Sequence, residues 1–238
     1  QNQPLSFALA AKAEQPIDVL AFDGNVAAWE DAYPIYINPP EQADTKAAWE
    51  APGFKARAML KWDASTLYIL ADVYDQKHLQ ESSGGDIWNG DSLQLAIDRK
   101  GDRAASYQDD DLELGAALSS RGILNYIWNP SAEQGVVQTQ FASVLRSETK
   151  GITRYLIAVP KERLAPLELR ERSEIGLNLA VNDANVLSRE AWYEFTPGLA
   201  STKNPSAWET FALLPQEKSA EIQNKGTAAL FETELDRS

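Results

Sequence analysis

Residues 54–75 read FKARAMLKWDASTLYILADVYD. Phe54, Ala56, Ala58, Leu60 and Trp62 share one parity, and Lys55, Arg57, Met59 and Lys61 take the other. A two-residue period of this kind marks a strand with an apolar face. Asp63-Ala64-Ser65 is a tight-turn signal. Beyond it, Leu67, Ile69, Ala71 and Val73 alternate with Tyr68, Leu70, Asp72 and Tyr74. Two alternating runs around a turn predict a β-hairpin.

The same reading extends outward. In residues 86–98, DIWNGDSLQLAID, Leu93, Leu95 and Ile97 alternate with Ser92, Gln94 and Asp98, which predicts a strand with one wet face. Strand-like runs follow at LELGAAL, ILNYIW, VVQTQFASVLR, TRYLIAVP, EIGLNLAVND, AWYEFTP and WETFALL. Helical signals are brief. AAWEDA offers one turn, and Pro166 restricts KERLAPLEL to a turn or two. Without long helices between strands, a doubly wound parallel sheet is not expected. The pattern predicts an all-β, antiparallel, jelly-roll-like β-sandwich with short helical turns. Its expected extent is residues 17–214. Residues 1–16 read as a leader or edge segment, and residues 215–238 as a polar tail or linker.

The 238 residues are enough for a large core without metal or disulfide support. There is no cysteine and a single histidine, His78. That composition excludes thiolate chemistry, cysteine zinc sites and histidine-rich metal clusters. A formal charge of −13 disfavours nucleic acid and anionic lipid, but leaves neutral ligands unaffected and attracts divalent cations. No apolar run reaches the ~20 residues of a membrane span. The chain starts at glutamine without a visible signal peptide. Export followed by processing is the expectation, placing the protein outside the cell, on its surface or in the periplasm.

The stretch GGDIWNGD puts Trp88 among glycines at 84, 85 and 90, just ahead of a strand. Trp88 either plugs the end of the sandwich or stands at its rim as a flat binding surface. An indole face suits the C–H face of a sugar ring. Asn89 and Gln94 would add polar contacts. Trp192 is the preferred second wall, with Tyr107 and Trp128 as weaker rim candidates. Trp62 and Trp208 read as core. Arg189 and Glu190 read as a local ion pair, and His78 as structural or exposed. The acidic run YQDDDLE gathers Asp109, Asp110 and Asp111, while Asp72, Asp75 and Asp183 lie at strand ends or turns. Such oxygens either form solvated charge runs or hold calcium.

In order, FDGNVAAWEDA, LKWDASTLYILADVYD, DIWNGDSLQLAIDRK, YQDDDLELG, YLIAVPKERLAP, IGLNLAVNDAN, AWYEFTPG and KNPSAWETFALL resemble carbohydrate-binding module family 9. The resemblance runs from about Ile17 to Leu214. It implies an antiparallel β-sandwich with bound Ca2+ and recognition of a sugar, in some members clamped between two tryptophans. Trp88 matches the first tryptophan, and Gln94 matches a polar position, often glutamate, that contacts the sugar. No tryptophan stands near Ser201 or Thr202, where the family pattern places the second. Gly115 falls where sugar-binding members present an arginine.

The leading expectation is a non-catalytic module recognising a neutral oligo- or polysaccharide, attached to a catalytic domain in a parent protein. One alternative is a glycan-degrading enzyme using a carboxylate pair, which sequence spacing cannot locate. The other is a calcium-stabilised adhesion or structural module without sugar binding.

Overall fold

The computed structural model describes residues 8–37, 55–137 and 140–215. Phe54 of the predicted hairpin, Trp49, part of the VVQTQFASVLR run and residues 216–238 lie outside them.

The described residues form thirteen strands: β1 Ala8–Lys12, β2 Pro34–Ile37, β3 Lys55–Trp62, β4 Thr66–Tyr74, β5 Ser92–Asp98, β6 Asp111–Ser119, β7 Gly122–Asn129, β8 Gly135–Val136, β9 Ala142–Ser147, β10 Ile152–Pro160, β11 Glu174–Ala184, β12 Arg189–Glu194 and β13 Glu209–Leu213. One four-residue helix, α1 (Lys161–Leu164), ends before Pro166. Single 3-10 turns include Ala27–Trp29, where AAWEDA was predicted helical.

The strands hydrogen-bond in the order β8-β7-β6-β5-β11-β13-β1-β3-β4-β10-β9, with β12 on β11 and β2 on β3. This sheet curls until β9 lies against β6 and β7. Its two halves enclose one core, as a sandwich does. The predicted hairpin is present, with Trp62 opposite Leu67 and Ala58 opposite Ala71. Ala56, Ala58, Leu60 and Trp62 pack with Leu67, Ile69, Ala71 and Val73 in that core, against Leu93, Leu95, Ile97, Leu177 and Leu179 of the facing half.

Three features depart from the expectation. The pairing is antiparallel except at β1, which runs parallel to both β13 and β3. Residues 8–12 are therefore an internal strand joining the two halves. Their alanines carry no period to read, yet Ala10 and Ala11 are fully buried at this seam. Second, the outer face of the hairpin is covered. Met59, Tyr68 and Leu70 pack with Trp29, Ile17 and Phe22 of the segment between β1 and β2. Lys61 is buried there, paired with Asp31. Third, the face of β5 predicted to be wet is buried along its whole length. Leu199 and Trp208 roof Ala96 and Ala180, and the Trp208 indole N–H donates to the Gly198 carbonyl at 2.9 Å.

Candidate functional site

The segment Gly84–Asn89 is a 3-10 turn in which Ile87 faces inward, 1% exposed, and Trp88 is half-buried at the rim. The buried isoleucine anchors the turn, so the next side chain is directed away from the core. Gly90 closes the turn against Gln80, whose amide donates to the carbonyls of Ile87 and Asp91. A Cβ at position 90 would fall 2.6 Å from Gln80 Oε1.

Strand register assembles the rest. Ser92 lies opposite Asn182, which lies opposite Trp192. Gln94 lies opposite Gly115, which lies opposite Tyr126. The result is a groove of about 260 Å³ lined by Trp88, Gln94, Glu113, Trp128, Arg189, Ala200 and Lys203. Trp128 reaches it from β7, with its indole N–H donating to the Gly85 carbonyl at 2.8 Å.

The floor is a connected polar chain. Gln94 Nε2 donates to Glu113 Oε1 at 2.8 Å, and Lys203 Nζ donates to the same oxygen at 2.6 Å. Asn182 Nδ2 donates to Gln94 Oε1 and Ser92 Oγ, both at 3.0 Å. Arg189 Nη1 donates to Asn182 Oδ1 at 3.0 Å. Gln94 and Glu113 are almost fully buried, and this bonding satisfies them in a low-dielectric setting. The Arg189 guanidinium lies over two indoles, 4.5 Å from the Trp88 ring centre and 4.3 Å from that of Trp192.

Trp88 and Gln94 both line this groove. Asn89 stands behind the wall, its side-chain oxygen accepting from the Arg189 backbone N–H at 3.4 Å. Trp192 is set back from the groove lining. It packs on Arg189, and its indole N–H donates to Glu194 Oε1 at 3.2 Å. Trp128 provides the second aromatic wall in its place. Tyr107 packs edge-on against Trp208, with Lys203 Nζ 5.5 Å from its ring. Burial, then the charge of Glu113, holds its hydroxyl well above the usual tyrosine range. Glu113, Arg189 and Lys203 were not read as groove residues. Their parity was visible for Glu113, but the register that aligns it with Gln94 was not.

The acidic residues sort into two clusters. Asp75, Asp91 and Asp183 bring carboxylate oxygens within 4.8 Å of one another, as do Asp98, Asp110 and Asp111. Asp91, which precedes β5, and Asp98, which ends it, were not among the residues expected to hold calcium. Asp110 Oδ2 and Asp111 Oδ1 are buried and accept no hydrogen bond from the protein. Burial, followed by the charges of Asp98 and Asp110, pushes Asp111 up to about 6. Burial likewise raises Asp91 to about 8 and Asp183 to about 7, with Asp75 adding repulsion to both. Orphaned buried oxygens and mutually repelling acids are the donor set a hard cation such as calcium fits. Asp72 belongs to neither cluster. Arg57 and Arg154 both hold its carboxylate, so it is a buried ion-pair centre. Asp109 contributes no carboxylate to a cluster, and its carbonyl accepts from Arg99. His78 Nε2 donates to the Leu118 carbonyl at 2.7 Å, and its Nδ1 lies 3.4 Å from Asp91 Oδ2 at the edge of the first cluster.

Among the described residues, no helix is long and apolar enough to cross a membrane.

Two solved structures share this architecture. A carbohydrate-binding module family 9 protein from Caldicellulosiruptor kristjanssonii, in complex with cellotriose, superposes with a TM-score of 0.63 at 19% identity. The match covers 87% of this chain and 93% of that one. The complex of such a module with glucose, from the same organism, gives 0.59, covering 87% and 95%. Among curated proteins, endo-1,4-beta-xylanase A of Thermotoga neapolitana is 27% identical over 153 residues, 62% of this chain and 13% of that enzyme. Endo-1,4-beta-xylanase C of Paenibacillus barcinonensis is 30% identical over 133 residues, 55% of this chain and 11% of the enzyme. The chain therefore spans about an eighth or less of these relatives. The model of the carbohydrate family 9 binding domain-like family matches residues 22–215, nearly the whole described fold, and the chain belongs to that family.

Proposed function

We propose that this chain is a non-catalytic carbohydrate-binding module that holds a single sugar ring in the Trp88–Trp128 groove. The observation that carries the reading is the groove itself: two half-buried indoles over a buried Gln94–Glu113 floor. A pyranose presents C–H faces to aromatic rings and hydroxyls to polar groups. At about 260 Å³ the groove falls just under the ~300 Å³ at which small-molecule clefts begin, a size for one ring at a chain end. The family membership and the cellotriose and glucose held by the structural neighbours support the same reading. Glycosidic hydrolysis would need two carboxylates flanking the bond. Among the residues lining the groove, Glu113 alone carries one, and two donors already hold its Oε1.

The module serves a secreted or surface protein, and its partial match to xylanases supports an attached catalytic domain. Calcium would be held by Asp98, Asp110 and Asp111, and by Asp75, Asp91 and Asp183. Bound there, it would neutralise buried carboxylates and so stabilise loops beside the sheet.

Calorimetric titration with cellotriose, xylotriose and glucose tests the proposal. Binding by the wild type, weakened at least about tenfold in Trp88→Ala, is expected from the lost indole contact. Failure of the folded wild type to bind any sugar across a broad glycan panel overturns it.

A further inference from the structure

The groove lining comes from separate parts of the chain. Trp88 stands on the 84–89 turn, and Arg189 starts β12 with its guanidinium over the Trp88 and Trp192 rings. Ala200 and Lys203 belong to the loop between β12 and β13. The two groups meet at Glu194, the last residue of β12, which is 7% exposed and stands outside the lining. Glu194 Oε1 accepts from the Trp192 indole N–H at 3.2 Å and from the Ala200 backbone N–H at 3.1 Å. Its Oε2 accepts from the Leu199 backbone N–H at 2.9 Å. One carboxylate oxygen therefore joins the tryptophan that packs on Arg189 to a residue of the groove wall.

Three N–H donors converge on this side chain. A carboxylate accepts at both oxygens, brings no donor of its own, and strengthens each bond by its charge. An amide would accept at one end and set a donor against a donor at the other. Leu199 is fully buried with Trp208 over Ala96 and Ala180, so its N–H has no water to replace a lost acceptor. Beyond Ala200 the loop closes through the Asn204 N–H, which donates to the Gly198 carbonyl at 2.7 Å, and Lys203 Nζ reaches Glu113 in the floor. The entry of the loop is thus fastened at Glu194.

Within the sugar-binding reading, on which this step rests, we propose that Glu194 is a positioning residue. It fixes the Ala200–Lys203 wall against the stack of Trp192, Arg189 and Trp88, so that the groove is formed before the sugar arrives. A preformed groove lowers the cost of ordering loop and side chains on binding.

The test is calorimetric titration with cellotriose of the wild type, Glu194→Gln, Trp192→Phe and their double variant, each well below its own Tm. Glu194→Gln binds about tenfold more weakly. Trp192→Phe keeps a ring over Arg189 but lacks the indole N–H, and binds about threefold more weakly. The double variant loses less than the product of the two, because both changes remove the same bond. Asp72→Asn, remote from the lining, lowers Tm and leaves the affinity unchanged. Equal affinity of the wild type and Glu194→Gln overturns the positioning role and leaves the sugar-binding reading standing. If Glu194→Gln does not fold, an unchanged affinity in Trp192→Phe does the same. A loss in Asp72→Asn as large as in Glu194→Gln makes the effect general loosening and also overturns it. Absence of binding by the folded wild type, to cellotriose and to the glycan panel, overturns both readings.

Discussion

The Trp128 ring occupies the space above Gly115. A methyl group on Gly115 would fall 2.6 Å from the ring carbons Cη2 and Cζ3. Glycine at this strand position is therefore a packing requirement of the groove wall, and an arginine and this tryptophan cannot both be accommodated. Gly115→Ala is expected to destabilise the fold by about 1–3 kcal/mol through overpacking and to loosen Trp128 from Gly85. A double-mutant cycle with Trp128→Ala checks this. If the clash is the cause, the double variant recovers most of the loss caused by the alanine at 115, with a coupling of about 1 kcal/mol or more.

Gln94 matches a position that is often glutamate in the resembling family, but its neighbours here require an amide. Its Nε2 donates to Glu113 Oε1, and its Oε1 accepts from Asn182. Gln94→Glu replaces the donor with a second carboxylate at hydrogen-bond distance. The expected loss is about 1–3 kcal/mol near neutral pH. Two such acids hold a shared proton more tightly than the unfolded chain does, so their folded pKa is raised. A raised carboxylate pKa carries no penalty at low pH and an increasing one as pH rises. The gap between variant and wild type should therefore narrow from pH 7 toward pH 4, as measured by denaturant unfolding.

Much of the fold was legible because alternation is a local signal. The hairpin at 55–74, β5, β6 and β11 can be read from parity alone, and Trp62 falls on the core side by the same count. Alternation says which face a residue takes, not what covers that face. On the face of β5 predicted to be wet, Ala96 lies under Leu199 and Trp208, more than 100 residues later in the chain, and Gln94 is buried in the floor of the groove. The site was legible where a local oddity marked it, as at Trp88. It was not legible where strand register creates proximity, as for Glu113 beside Gln94 or Asp98 beside Asp110 and Asp111. Trp128 and Trp192 are both half-buried aromatics near the rim, and only the curl of the sheet decides which one lines the groove.

Calcium removal separates the two acidic clusters from ordinary surface charge. A ligand that binds the folded state at about 1,000 times its Kd adds about 4 kcal/mol of stability. For a chain of this size that corresponds to roughly 8–16 °C in Tm. Chelation should lower Tm by an amount of that order, with calcium restoring it and magnesium restoring less. Asp111→Asn should reduce the calcium-dependent increment, because Asp111 Oδ1 has no protein donor to lose. A Tm unchanged by verified calcium removal would count against both sites.

Asp72 provides the contrasting case. Its side chain is 7% exposed and lies between two guanidinium groups, with Arg57 at 3.0 Å and Arg154 Nε at 2.5 Å. Arg154 also donates to the Gly24 carbonyl, so the pair fastens the segment that covers the outer face of the hairpin. Asp72→Asn leaves two partly buried cations without their shared counter-charge, at an expected cost of about 3–5 kcal/mol. The replacement amide keeps one acceptor oxygen but places an N–H donor where the other carboxylate oxygen accepted from a guanidinium. Because Asp72 belongs to neither acidic cluster, the loss should be the same in calcium and in chelator. A loss confined to calcium-loaded protein, read as Tm in paired melts, would instead make Asp72 a metal ligand.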